Sequence, residues 1–210
     1  MLPVNLREQS PKGFAAIART TFLIGNQSSV RRKTAIDHQS TYSRGINMNA
    51  REAVNLAMDS GQMIGLGYLD DMTDEELMHR PHPDCNHIKW QLGHLISSEH
   101  HIINGVLPGT MPELPEGFGE RYTPETAKSD DASAFDSKEE LLKLYNEQRA
   151  AAVAKLESLT DEDLSQEGPE EMKAYAPTVG AAFDLLGGHW LMHAGQWAVI
   201  RRQLGRPPLF

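Results

Sequence analysis

Histidines carry the clearest chemical signal in this sequence. His189 and His193 are four residues apart in a segment that also contains Trp190, Leu191 and Met192. On an α-helix, residues at this spacing share a face, with roughly 5–6 Å between their Cβ atoms. Neutral imidazole is a common metal ligand. The two rings could therefore bind one divalent ion, with a third ligand supplied by another part of the chain.

His94 is the candidate third ligand. It lies between Leu92 and Leu95, where burial would favour the neutral, metal-binding form of the ring. A structural role is the alternative, because a single histidine on an apolar face is more often a core residue hydrogen-bonded to a backbone carbonyl. Histidines four residues apart also occur by chance on solvent-facing helices. Spacing alone leaves both interpretations open.

Four further chelating residues precede the segment of His94: His79, His82, Cys85 and His87. Their composition can bind zinc, but they include no Cys-x-x-Cys pair, so they are the weaker candidate site. His101 follows His94 by two helical turns and is expected at the surface or in the lining of a cavity.

Other polar and aromatic residues near the histidines have less definite roles. Gln196 either hydrogen-bonds to one of the metal-binding histidines or only packs against its neighbours. Trp90 and Trp197 are expected in the core. Glu99 and Asp184 could act as acid–base groups, but neither falls at a helical spacing that directs it toward the three histidines.

The composition is that of a globular domain. The chain has 210 residues, of which 40% are hydrophobic and 23% charged, and no apolar stretch is long enough to span a membrane. The single cysteine, Cys85, excludes an intrachain disulfide framework and suits a reducing cytosol, so a cytoplasmic location is expected.

Charge divides the sequence into two parts. Residues 1–47 contain seven Lys and Arg against two Asp and Glu, whereas the remainder is acidic, and the net charge is −9. The acidic part argues against nucleic-acid binding.

Residues 1–47 are polar and lack helical or strand periodicity, which predicts a disordered extension. Met48 directly precedes a strong helix start, so we interpret the extension as a start-site artefact; a targeting segment or a basic tail for anionic partners are the alternatives.

Four amphipathic helices are predicted in residues 48–210. Their approximate ranges are 49–69, 86–105, 137–156 and 179–204. Asn49 and Ser137 begin capping boxes, and Gly205 with the prolines after it ends the last helix. A Pro- and Gly-rich connection, 108–136, is long enough to cross from one end of a bundle to the other. Similar capped turns are expected at Thr73 and Thr160, after the first and third helices.

Two motifs in this part of the chain resemble the DinB-like metalloenzyme superfamily. They are Trp90-x-x-x-His94-Leu95 and His189-x-x-x-His193-x-Gly195-Gln196. The resemblance covers residues 48–210 and implies an all-α, four-helix bundle of up-down-down-up topology, with a long crossover between helices 2 and 3. It also implies that His94, His189 and His193 bind the metal, and that pairing into a homodimer through exposed apolar helix faces is to be expected.

The resemblance favours a thiol S-transferase, in which a low-molecular-weight thiol is activated on the metal and attacks a small-molecule electrophile. Three nitrogen ligands leave a tetrahedral ion one open position, and the ion acidifies a water or thiol bound there. Zinc is the expected ion, although imidazoles also suit nickel, copper or iron. A metal-dependent hydrolase and a non-catalytic metal- or ligand-binding bundle are the alternatives.

Overall fold

The computed structural model describes residues 48–209, and helices dominate this part of the chain. The helices are α1 (Ala50–Leu69), α2 (Ile88–Val106), α3 (Phe118–Arg121), α4 (Lys138–Ser158), α5 (Asp161–Leu164) and α6 (Val179–Gln203). Four of them are long, as predicted, and the described residues contain no β-strand apart from one isolated bridge, between Glu167 and Thr178. The all-helical fold is thus confirmed. The up-down-down-up order of the long helices stays a prediction.

Side-chain caps fix where the long helices begin. At α1, the Asn49 side chain accepts from the Glu52 backbone N–H while the Glu52 carboxylate accepts from the Asn49 N–H, so the predicted capping box is present. Ser137 and Glu140 form the same reciprocal pair at α4. Each box satisfies two backbone donors that a helix otherwise leaves free.

The start of α2 differs from the prediction, because a histidine serves as its cap. His87 is fully buried, and its Nδ1 accepts from the Trp90 backbone N–H at 3.0 Å. Its Nε2 lies 3.2 Å from the Ser129 carbonyl oxygen, to which it donates. Both ring nitrogens are therefore used by the neutral form, and helix α2 starts two residues later than expected.

The two capped turns predicted at Thr73 and Thr160 are both present. Thr73 exchanges hydrogen bonds with Glu76, and Thr160 does so with Asp163 at the start of α5. The long connection also contains structure that its composition did not predict. A short helix, α3, lies within it, and the Tyr122 hydroxyl donates to Asp136 at 2.8 Å.

Glycines bring α1 and α6 into backbone contact. A Cβ atom on Gly187 would lie 2.4 Å from the Ala57 carbonyl oxygen, and one on Gly61 would lie 2.5 Å from the Gly187 carbonyl oxygen. Neither position has space for a side chain. The next residue, Gly188, is exposed, and a Cβ there would meet no described atom within 4 Å.

Large apolar side chains fill the space between the long helices. Trp190 and Trp197 of α6 are buried, and Trp190 packs against Tyr145 of α4 with ring centroids 4.4 Å apart. Leu92 and Leu95 of α2 belong to the same cluster. The core thus packs against one face of the helix segments that carry the histidines, and it holds those segments in place.

No helix among residues 48–209 is long and apolar enough to cross a membrane. The predictions for residues 1–47, including the disordered extension and its start-site interpretation, lie outside the described residues.

Adjacent glycines on α6 should respond oppositely to the same substitution. Gly187→Ala is expected to lower the free energy of unfolding by about 1–3 kcal/mol, because the new methyl group has no space against α1. Gly188→Ala is expected to raise it by about 0.5–1 kcal/mol, because alanine is the better helix former at an open position. Urea denaturation of both variants measures the difference; equal effects would contradict the close packing.

The buried His87 cap should make stability depend on pH. Burial, reinforced by the nearby Arg80 charge, lowers the pKa of His87 to about 4, against 6.5 for a free histidine. The folded protein therefore binds fewer protons here than the unfolded chain, so the stability present above pH 6.5 is lost as the pH falls toward 4. His87→Asn keeps a capping side chain without this titration.

The stability advantage of wild type over His87→Asn should therefore shrink over that pH range, as measured by urea denaturation at stepped pH. A difference that does not vary with pH would contradict the assignment of His87 as a neutral cap.

Candidate metal centre

Three histidine rings from two helices converge at one point. His94 comes from α2, and His189 and His193 come from successive turns of α6. The His94 ring centroid is 5.2 Å from that of His189 and 5.6 Å from that of His193, and one nitrogen of each ring lies within 4.8 Å of the others. This group could hold a metal ion, and it is the one such group among residues 48–209.

The two rings on α6 face each other at short range. The Nε2 atoms of His189 and His193 are 3.2 Å apart, and the ring centroids are 4.9 Å apart. The i,i+4 spacing produces this approach, as expected from helix geometry. His94 is held from its other side by Trp90, whose ring stacks on it at 4.9 Å with an interplanar angle of 6°.

All three rings favour the neutral form. Burial lowers the pKa of His94. Burial lowers the pKa of His189 to about 4 and that of His193 to about 3, and repulsion from the neighbouring histidines adds to both shifts. Neutral rings leave a nitrogen lone pair free for coordination. The electrostatics of the site thus fit a group of metal ligands.

Gln91, whose role no sequence motif indicates, connects the two helices at this site. Gln91 of α2 is fully buried, and all its side-chain polar atoms are used. Its Oε1 accepts from the Trp197 indole N–H at 2.8 Å and lies 2.9 Å from His193 Nδ1. Its Nε2 donates to the Asn86 carbonyl oxygen at 2.6 Å and to Gln196 Oε1 at 3.1 Å.

These contacts determine which nitrogen of His193 carries the proton. An indole N–H can only donate and a backbone carbonyl can only accept, so Trp197 and Asn86 together fix the orientation of the Gln91 amide. The atom facing His193 is therefore an oxygen, which requires a proton on Nδ1 of that ring. The lone pair of His193 is then on Nε2, the atom directed toward His189.

The predicted supporting residues occupy related positions. Gln196 accepts a hydrogen bond from Gln91 and forms none with a histidine, so it contacts the site only through Gln91. Trp197 is buried, as expected, and its N–H orients Gln91. Glu99 forms a buried ion pair with Arg149 at 2.8 Å, and Asp184 is exposed; neither belongs to the three-histidine group.

The weaker candidate cluster in the loop before α2 does not form a comparable group among residues 48–209. Its members have other partners. His79 Nε2 lies 2.8 Å from Gln203 Oε1, His82 Nδ1 accepts from the Asp84 N–H, and His87 caps α2. Cys85 is a partly buried free thiol.

A cavity of about 440 Å³ adjoins the histidines, and His189 forms part of its wall. His101 is exposed and also lines this cavity, so it meets both expectations from the sequence for that residue. The site thus combines a potential ligand set with space for a small molecule at the same place.

Fold and site together define this protein as a helical bundle with a three-histidine centre that could hold a metal ion. The family model of the DinB superfamily matches residues 58–197, a range that includes all three histidines. The chain belongs to the DinB superfamily. No curated protein matches the sequence.

The protonation of His193 can be tested directly by ¹⁵N NMR of histidine-labelled protein. Wild-type His193 should carry its proton on Nδ1, and Gln91→Glu should preserve this form because a carboxylate oxygen still accepts at that position. Gln91→Leu removes the acceptor and should populate the Nε2-protonated form. Detection of that form in wild type would contradict the assignment.

Proposed function

We propose that this protein is a metal-dependent thiol S-transferase that joins a low-molecular-weight thiol to a small electrophile. The observation that supports the proposal most is the convergence of three neutral imidazoles beside a cavity. Membership of the DinB superfamily also supports the proposal. The proteins that the two histidine motifs resemble include thiol-dependent transferases.

In the proposed site, His94, His189 and His193 hold a divalent ion. When bound, such an ion supplies a Lewis-acidic open position at which a thiol loses its proton near neutral pH. Zinc is the ion we propose, with nickel or iron as the alternatives, because an all-imidazole ligand set suits each of them.

The surrounding residues have defined tasks in this scheme. Gln91 keeps the Nε2 lone pair of His193 directed toward His189, and the Trp90 ring restricts rotation of His94. Removal of a hydrogen bond to a metal-binding histidine typically lowers the affinity for the metal by about tenfold to a hundredfold. Trp197 is buried and donates to Gln91, so the residue that orients His193 is itself held in the core.

The proposed reaction is a substitution at carbon. A bond forms between the thiol sulfur and a carbon of the electrophile, a leaving group such as chloride departs with its bonding electron pair, and the thiol proton passes to solvent. Reactant and product thus balance without an oxidant or a reductant.

Elemental analysis of protein purified without a histidine tag tests the metal site. Wild type should contain about one divalent ion per chain, and His189→Ala should lose most of it because two ligands rarely retain an ion that needs three. His101→Ala, which removes a histidine outside the group, is the matched control and should keep its metal. Equal metal content in wild type and His189→Ala would refute the site.

Turnover separates the reaction classes. Metal-loaded wild type should consume a thiol together with a chlorinated aromatic electrophile, and His189→Ala should not. Cleavage of an ester or amide without thiol would instead identify a hydrolase, and metal-dependent folding without any turnover would identify a structural ion.

A further inference from the structure

The cavity beside the histidines has walls that indicate what it binds. It lies between α2 and α6, with Tyr175 from the segment that precedes α6. Its lining consists of Ser97, Ser98, His101, Ile102, Tyr175, Leu185, His189 and Met192. No Asp, Glu, Lys or Arg is among these residues, so a charged ligand group that does not reach the ion proposed at the histidines would lose its hydration there without gaining an ion pair, which is unfavourable.

Large apolar side chains are exposed around this cavity. Met192 is 62% exposed and Tyr175 is 51% exposed, although both carry extensive apolar surface. Leu185 lies beside them and is only partly buried. Binding of an apolar molecule would remove this surface from water, which is favourable at roughly 25 cal/mol for each Å².

Most polar side chains of the cavity form no hydrogen bond within residues 48–209; His189, whose Nε2 faces that of His193, is the exception. Ser97 and Ser98 are in the interior of α2, where a serine hydroxyl commonly donates to the carbonyl four residues earlier. Ser60 on α1 does so, to Leu56 at 2.8 Å. The side chains of Ser97, Ser98 and His101 form no hydrogen bond with any residue in the 48–209 range, so they are available to a ligand.

A larger cavity, about 730 Å³, has Trp90 in its wall and differs in character. Arg80, Asp84, Lys128 and Asp130 line it, and none of the three histidines does. The Arg80 guanidinium is already bound to Asp130 and to three backbone carbonyls. Although this cavity is larger, it does not adjoin the three histidines, so the smaller cavity is the better candidate for a ligand that reacts there.

We propose that the cavity between α2 and α6 binds the electrophile, and that this substrate is an uncharged molecule with an apolar body and hydrogen-bond-accepting groups at one end. An aromatic ring or a short alkyl chain contacts Met192 and Tyr175. A carbonyl or nitro group accepts hydrogen bonds from the hydroxyls of Ser97 and Ser98. This assignment rests on the proposed transferase function, because it names the second substrate of that reaction.

Binding of 1,3-dinitrobenzene to the full chain tests the proposal without any reaction. This probe has an apolar ring and two nitro groups but no leaving group, and isothermal titration calorimetry in the absence of thiol measures its affinity. We expect saturable binding at one site. The cation 3,5-dinitrobenzylammonium should bind at least about tenfold more weakly, since no carboxylate lines the cavity and the ion proposed at the histidines would repel it.

Two methionines of nearly equal exposure provide a matched pair. Met192 lines the cavity and is 62% exposed, whereas Met63 on α1 is 63% exposed and lies outside it. Met192→Ala should weaken dinitrobenzene binding by about threefold to tenfold, as expected for the loss of part of one apolar wall. Met63→Ala should leave it unchanged. Equal effects of the two substitutions would overturn the assignment.

A filling variant addresses the cavity itself. Ser98→Phe places a ring into the space and should abolish binding, with circular dichroism and metal content as the checks that the fold and the histidines are intact. Retained binding in this folded variant, or tighter binding of the ammonium compound than of dinitrobenzene, would refute the proposal. Because these measurements need no thiol turnover, failure of the transferase function and failure of the cavity assignment give different results.

Discussion

The hydrogen bonds of the Gln91 side chain are the constraint on which the site depends. This amide joins α2 to α6 through His193 and Trp197, and both the amide and Trp197 are fully buried. A buried amide is costly unless its polar atoms are satisfied, and here a backbone carbonyl, an indole, an imidazole and a second amide do so. The relative position of the two helices, and with it the approach of His94 to His189, is thus coupled to one residue.

The sequence predicted the features that depend on local rules. The capping boxes at Asn49 and Ser137 are encoded within four residues each, and both are present. The i,i+4 spacing of His189 and His193 predicted their shared face for the same reason. The approach of His94 required the family resemblance as well, because periodicity gives the face of a helix but not the helix that packs against it.

The features that could not be predicted from the sequence depend on contacts between residues far apart in the chain. Gln91 looked like an ordinary polar position at the start of α2, since its importance arises from Trp197, more than a hundred residues away. The signal that could have found it is the i,i+3 spacing between Gln91 and His94 on one helix. The cap at His87 was missed because histidine is not a usual N-cap residue, and its role depends on Ser129 in the long connection.

The placement of the histidines on only two helices has a thermodynamic consequence. An ion held by α2 and α6 would act as a reversible cross-link, closing a loop of roughly a hundred residues that contains all of α4. In the chain-entropy description, a covalent tie across a loop of this length lowers the free energy of folding by about 4.7 kcal/mol, because it restricts the unfolded ensemble. Occupancy and folding of the intervening segment would then be energetically linked, so that each strengthens the other.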